Sequence, residues 1–165
     1  MNLFILDHNP VVAAQYNCDG HIRKIILEAV EMMGYAYPRN QFEPWLWVHT
    51  KGRHLNHPMS KWVRRSKQNF DWTLQHAYAL CDEYVYRFDK QNQHKCRSYL
   101  DWIANNLPLS ESPDFGQTDW PRCFGTFKEL IEPSEDAVYD YRRYYMMGKR
   151  HLALWTKRGE PFWWK

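Results

Sequence analysis

The stretch from Cys18 to Glu28 reads Cys-Asp-Gly-His-Ile-Arg-Lys-Ile-Ile-Leu-Glu. His21, Lys24 and Glu28 fall at i, i+3 and i+7, so a helix here sets an imidazole, an amine and a carboxylate on one face. Such a trio can move protons, hold an anion or activate a nucleophile. The same spacing also describes a solvated Lys24–Glu28 pair of small energetic value. Beside this face Ile22, Ile25, Ile26, Ala29 and Met33 form an apolar stripe, which predicts a helix docked in a core with its polar side over a cleft.

The elements that must position this face follow from local signals. Asn9 is a good cap and Pro10 suits a first helical turn, so helix one is predicted from about Pro10 to Met33, with Gly34 past its end. Gly20 lies inside it, weakens it by about 1 kcal/mol relative to Ala, and marks a place for a break or close approach. Residues 2–6, Asn-Leu-Phe-Ile-Leu, predict a short strand or an extended arm anchored in the core. From Tyr35 to Pro58 periodicity is lost, which predicts a long connection of the kind that often carries function. A second helix is predicted from Pro58 or Met59 to Phe88, burying Trp62, Phe70, Leu74, Ala77, Cys81, Tyr84 and Phe88. A short third helix follows over Ser98–Asn106, with Tyr99, Trp102 and Ile103 inward. Pro108, Pro113 and Pro121 punctuate an extended loop, and Ser134 with Glu135 and Asp136 predicts the cap and first turn of a last helix rich in Tyr, Arg and Lys. The tail from Leu154 to Lys165 is aromatic enough to pack back on the domain or to present rings to a ligand. The expected fold is mainly α: a single compact domain, residues 1–165, of about four helices with long aromatic- and basic-rich loops.

Composition narrows the classes. Nine Trp and eleven Tyr in a chain of low mean hydropathy suit surfaces that are apolar on one side and wet on the other, and stacking on nucleobases is one such use. The formal charge of +3 excludes a polycation and leaves room for a basic cleft. Six basic residues and no acid lie between Lys51 and Lys67, namely Lys51, Arg53, Lys61, Arg64, Arg65 and Lys67, whereas Asp101 to Asp140 is mostly acidic. That asymmetry suits a phosphate backbone and equally describes a solvated face. Lys61, Arg64, Arg65 and Lys67 crowd a predicted helix start, where cations oppose the helix dipole, so an anionic partner is the more economical explanation. His49, His54 and His57 have no acid or thiol placed to complete a metal site, and neither metal nor cofactor is expected. Cys18, Cys81, Cys96 and Cys123 form no CxxC pair and are expected as buried thiols. With no signal peptide and no apolar run near twenty residues, the expectation is a soluble, reduced, cytoplasmic protein.

Residues 19–28 then bear comparison with a known family. Asp19-x-His21, with Glu28 nine residues after the Asp, resembles the first helix of the phage pyrimidine-dimer DNA glycosylases of the endonuclease V type. Asn56-His57-Pro58 opening a helix that closes with Tyr86-Arg87-Phe88 resembles cellular relatives of those enzymes, and Arg158, Pro161 and Trp163 look like that family's closing basic-aromatic segment. The likeness covers about half the chain. It implies that a chain-terminal amine, here Met1, attacks the sugar C1′ while Glu28 acts as acid and base, with His21 and Lys24 assisting. A terminal amine with a pKa near 8 suits that attack better than an unperturbed lysine near 10.4. It also implies base flipping, with the duplex held by His57, Lys61, Arg64, Arg65, Lys67, Arg158 and Trp163. Two positions depart from the family. Asn2 keeps Met1 in place where the family exposes Thr, and Leu27 stands where the family has Arg before the catalytic Glu, so Arg23 or Lys24 must supply that charge.

Two further functions fit the same cleft. One is a phage transferase that hypermodifies a pyrimidine base, with His21, Lys24 and Glu28 activating an amine or alcohol. The other is a non-catalytic nucleic-acid or nucleotide binder in which Glu28 only pairs with Lys24. The expected partner is DNA, as a duplex, with no membrane association. The expected state is a monomer in the cytoplasm, the host cell's if the chain is phage-encoded.

Overall fold

Asn9 opens the first helix as its type predicts, its side-chain oxygen accepting from the Val11 and Val12 amides at 2.9 and 3.3 Å, with Pro10 in the first turn. In the computed structural model, which describes residues 1–38, 52, 54–108 and 116–165, six α-helices and no strand are found among the described residues. They are α1 (Pro10–Tyr16), α2 (Asp19–Gly34), α3 (Pro58–Val63), α4 (Lys67–Phe88), α5 (Arg97–Asn105) and α6 (Ala137–Gly148). Lys51, Arg53 and His49 lie outside the described residues. The mainly α expectation holds; the count of about four becomes six because two predicted helices each break in two.

The first break falls at Asn17 and Cys18 rather than at Gly20, and its cause lies on another helix. Arg87, 1% exposed, donates to the carbonyls of Gln15 and Asn17 at 2.6 and 2.8 Å, and to the Asp19 carboxylate at 3.1 Å. One guanidinium therefore satisfies carbonyls at the end of α1 that a continuous helix would have bonded internally, and pairs with the acid in the first turn of α2. Gly34, expected beyond the helix, is its last residue and is buried. The second break, at Arg64–Ser66, arises because the Ser66 hydroxyl caps α4 by accepting from the Asn69 amide at 3.2 Å. The last helix is capped by Asp136, not Ser134: Asp136 accepts from the Val138 amide at 2.8 Å. Ser134 is drawn away because its amide donates to the buried Asp140 carboxylate at 3.0 and 3.1 Å.

The long α4 packs against both α1 and α2, α5 against α4, and α3 against α2 and α4. Leu3, Ile5 and Leu6 are fully buried in this core. They form the anchored arm rather than a strand, since Phe4 turns the backbone left-handed at φ +48°. Ala77, Cys81, Phe70 and Trp62 are buried as predicted, whereas Leu74, Tyr84 and Phe88 are only half-buried and Trp72, His76, Leu80, Glu83 and Arg87 complete the inner side. On α5, Leu100 joins Ile103 inside, while Tyr99 and Trp102 are half-buried. Cys18, Cys81 and Cys96 are buried free thiols and Cys123 is half-buried. The tail packs back through Trp155, whose indole donates to the Tyr16 carbonyl at 2.9 Å, and through Trp163, 9% exposed. No described helix is long and apolar enough to cross a membrane.

Around Arg87 the buried charges balance. Glu83 accepts from Arg87 at 2.7 Å and from Arg158 at 2.6 and 3.2 Å, and Asp19 accepts from the Thr156 amide and hydroxyl as well. Removing one member of such a network strands the others in low dielectric, a loss of about 3–5 kcal/mol. Arg87→Met, which keeps the volume, is therefore expected to lower unfolding stability by about that amount in urea titrations. A loss under about 1 kcal/mol would contradict the role given to Arg87.

Candidate active site

The polar face of α2 forms one wall of a cavity of about 480 Å³. His21, Lys24, Ile25 and Glu28 come from α2, and Met1, Asn2 and Phe4 from the arm. His57 and Pro58 open α3 at the rim. The far side is built by Arg122, Cys123, Phe124, Gly125 and Lys128 with Tyr144 and Lys149 from the end of α6. That far loop can approach α6 because Gly148 has no side chain: a Cβ there would meet the Phe127 ring at 3.2 Å and Tyr144 at 3.1 Å.

Glu28 is held from several sides. Its Oε2 accepts from the Asn2 amide at 2.7 Å and lies 4.0 Å from the Met1 amine, while Oε1 lies 3.6 Å from the Lys24 ammonium. The gap to the Met1 amine is too long for a hydrogen bond and short enough for one water or one reacting atom between them. Met1 is oriented from behind: its side chain is 2% exposed, and the Ser60 hydroxyl reaches its sulfur at 3.5 Å. Asn2 completes the brace, donating to the Cys123 carbonyl at 2.7 Å and accepting from the Phe4 amide at 3.1 Å, which holds Phe4 in its left-handed conformation. The Phe4 ring then stacks on His21, centroids 4.4 Å apart and planes 15° from parallel.

The site is cationic. Lys24, Arg122, Lys128, Lys149 and the Met1 amine face it, and Glu28 is the one carboxylate among its described lining residues. Arg122 is already committed to Asp140 at 2.7 Å. Burial opposes the charge on Asp140, but hydrogen bonds from Arg122 and Ser134 outweigh it and hold the carboxyl below its ordinary range. Lys149 sits 5.7 and 5.5 Å from the ring centroids of Phe4 and Tyr144, a cation–π placement. Burial, with the charges of Lys149, Lys24 and His151, depresses the His21 pKa from 6.5 to about 3, so His21 is neutral near pH 7. His57 is pushed down by burial, then by the chain-terminal ammonium and His54, against an upward pull from Glu28. Its Nδ1 accepts from the Met59 amide at 3.2 Å. Burial raises the Cys123 thiol, which keeps it protonated and a poor nucleophile.

The structure thus brings Met1, His21, Lys24, Glu28 and His57 together. Lys24 stands beside Glu28, whereas Arg23 lies over the Phe88 ring at 4.5 Å. Lys61, Arg64 and Arg65 line an open groove that shares Pro58 with the cavity rim. Lys67 borders a smaller depression with Arg64, Phe70 and Asp71. Arg158 and Trp163 are not in the cavity wall: Arg158 is held by Glu83 and covers Tyr86 at 4.6 Å, and Trp163 packs edge-on against Tyr16 and Tyr145. Sequence reasoning missed Asn2, Phe4, Arg122, Lys128 and Tyr144 as lining residues. The Tyr-rich, basic character of the last helix was the one signal pointing to Tyr144 and Lys149.

Comparison of the chain with protein-family models, with curated proteins and with solved structures finds no match. The function therefore rests on the cavity.

Because the folded chain refuses a proton at His21 until about pH 3 while the unfolded chain accepts one near 6.5, His21 makes stability fall as pH drops through that window. Its share of the slope is up to about 1.4 kcal/mol per pH unit. Unfolding measured between pH 6 and 4.5 should show a slope shallower by about that amount in His21→Gln. Equal slopes in the two proteins would mean that folded His21 protonates freely.

Proposed function

We propose that this chain is a DNA-acting enzyme with glycosylase and lyase chemistry, attacking the sugar of a flipped, damaged or modified pyrimidine nucleotide. The observation that carries this reading is the Met1 amine 4.0 Å from a carboxylate that the Asn2 amide holds at 2.7 Å, inside a cationic, aromatic-walled cavity. The neutral amine forms a bond to C1′ as the bond from C1′ to the base breaks, and the base leaves with the bonding pair. The attacking nitrogen gives up a proton, which Glu28 relays to the leaving base. The nitrogen lone pair then expels O4′, which takes a proton from water, and leaves a protonated imine at C1′. Glu28, once more a carboxylate, takes a proton from C2′, and the 3′-phosphate departs with the electrons of its C–O bond. Phe4, Phe124 and Tyr144 are among the residues lining the cavity that would take a flipped base, and the groove of Lys61, Arg64 and Arg65, which shares Pro58 with that cavity, would take the duplex backbone.

Borohydride reduction during incubation with duplex DNA containing an abasic site is expected to trap a covalent protein–DNA adduct. Glu28→Gln is expected to bind the same duplex while cutting the nicking rate by a factor of about 10² or more. If neither adduct nor nicking appears on abasic or damaged-pyrimidine substrates, the reading fails. A mass change in nucleosides recovered from DNA treated with the protein and an amine or alcohol donor would instead favour a base-modifying transferase. Duplex affinity should also fall steeply with salt, and Lys61→Ala with Arg65→Ala should flatten the log–log slope by about 2. Salt-insensitive binding would remove the groove from the account.

A further inference from the structure

Tyr145 lies behind the cavity wall and is fully buried, yet its hydroxyl reaches the one imidazole of α2. Its oxygen accepts from the Cys18 amide at 2.9 Å and stands 2.6 Å from Nδ1 of His21. The amide occupies one lone pair, so the pair is best satisfied when the hydroxyl proton is given to Nδ1. The ring edge bearing Nδ1 is thus tied to a buried group, while His21 itself lines the cavity and its Nε2 has no partner among the described residues. Phe4 stacks on the His21 ring and Tyr145 meets it edge-on at 5.3 Å, which fixes its plane.

We infer that Tyr145 is a positioning residue that locks His21 in the Nε2–H tautomer, so that α2 presents a fixed neutral hydrogen-bond donor to an acceptor atom of the ligand. Burial holds the Tyr145 hydroxyl protonated, and Lys149, Lys24 and His151 all oppose a charge on the imidazole. A neutral donor of this kind stabilises negative charge as it develops on an oxygen without giving up its proton, and it does so independently of pH near neutrality. Glu28 is left as the proton-transferring group, and His21 has the separate task of holding an oxygen. That oxygen, on the reading proposed above, belongs to the 3′-phosphate that departs in the lyase step.

The tautomer can be read without substrate. Nitrogen-15 spectra of the histidine rings in the full chain, from pH 5 to 8, should show His21 with an unprotonated Nδ1 and a protonated Nε2 throughout. Tyr145→Phe, which keeps the ring and removes the hydroxyl, should bring in the other tautomer as averaged shifts. A protonated Nδ1 in the wild type, a titration of His21 inside this range, or a tautomer unchanged in Tyr145→Phe would each overturn the inference. Should the variant fail to fold, the wild-type spectra alone decide between an Nε2–H and an Nδ1–H ring. The ligand half is tested with a duplex carrying a tetrahydrofuran abasic analogue, which should shift the His21 Nε2–H signal on saturation. Binding with that signal unmoved overturns the donor role, whereas a duplex that does not bind while the tautomer is as stated refutes the DNA reading and leaves the lock standing.

Discussion

Everything in this fold that bears on chemistry depends on the buried guanidinium of Arg87. It takes the carbonyls of Gln15 and Asn17 and the carboxylate of Asp19, and with Glu83 and Arg158 it closes a network of two cations and two anions. Without it the unpaired carbonyls between α1 and α2 would face a dry interior, a situation folded chains avoid. The network fixes where α2 begins, and therefore which way His21 and Glu28 point. It also fastens the tail, because Asp19 accepts from Thr156 and Glu83 from Arg158.

From that anchor the site is assembled by contacts distant in sequence. Glu28 is aimed by the backbone of Asn2, and the arm holding Asn2 is locked to Cys123. His21 is fixed by Tyr145 from one side and Phe4 from the other. Asn2, Phe4 and Tyr145 are themselves buried, so the side chains have little freedom to leave their places. His21 is kept neutral by burial and neighbouring cations, and the Glu28 carboxylate has the Asn2 amide and the Lys24 ammonium beside it. A cavity with several cations and one carboxylate among its described lining residues is suited to an anionic ligand.

The face of α2 was legible in the sequence because its spacing is local, and helical periodicity alone set His21, Lys24 and Glu28 together. The cap at Asn9 follows the same local logic, whereas the Ser66 cap that divides the second helix was not read from the sequence. The break at Asn17 was not legible, since its cause, Arg87, is 68 residues from Asp19. Gly20, the obvious weak point by propensity, stays inside α2 because tertiary hydrogen bonds outweigh a penalty of about 1 kcal/mol. Asn2 and Lys128 gave no signal, as their roles come from chain crossings that no periodicity records. Arg158 and Trp163 were singled out through a resemblance, yet a buried carboxylate and an aromatic cluster claim them.

The central claim is that the Met1 amine and Glu28 act as one unit on a sugar carbon. Mass-spectrometric mapping of the borohydride-reduced adduct, after digestion of protein and DNA, tests it most directly. The account predicts the sugar remnant on the α-nitrogen of Met1, with the lysines unmodified. A remnant on Lys24 or Lys149, with Met1 untouched, would contradict it.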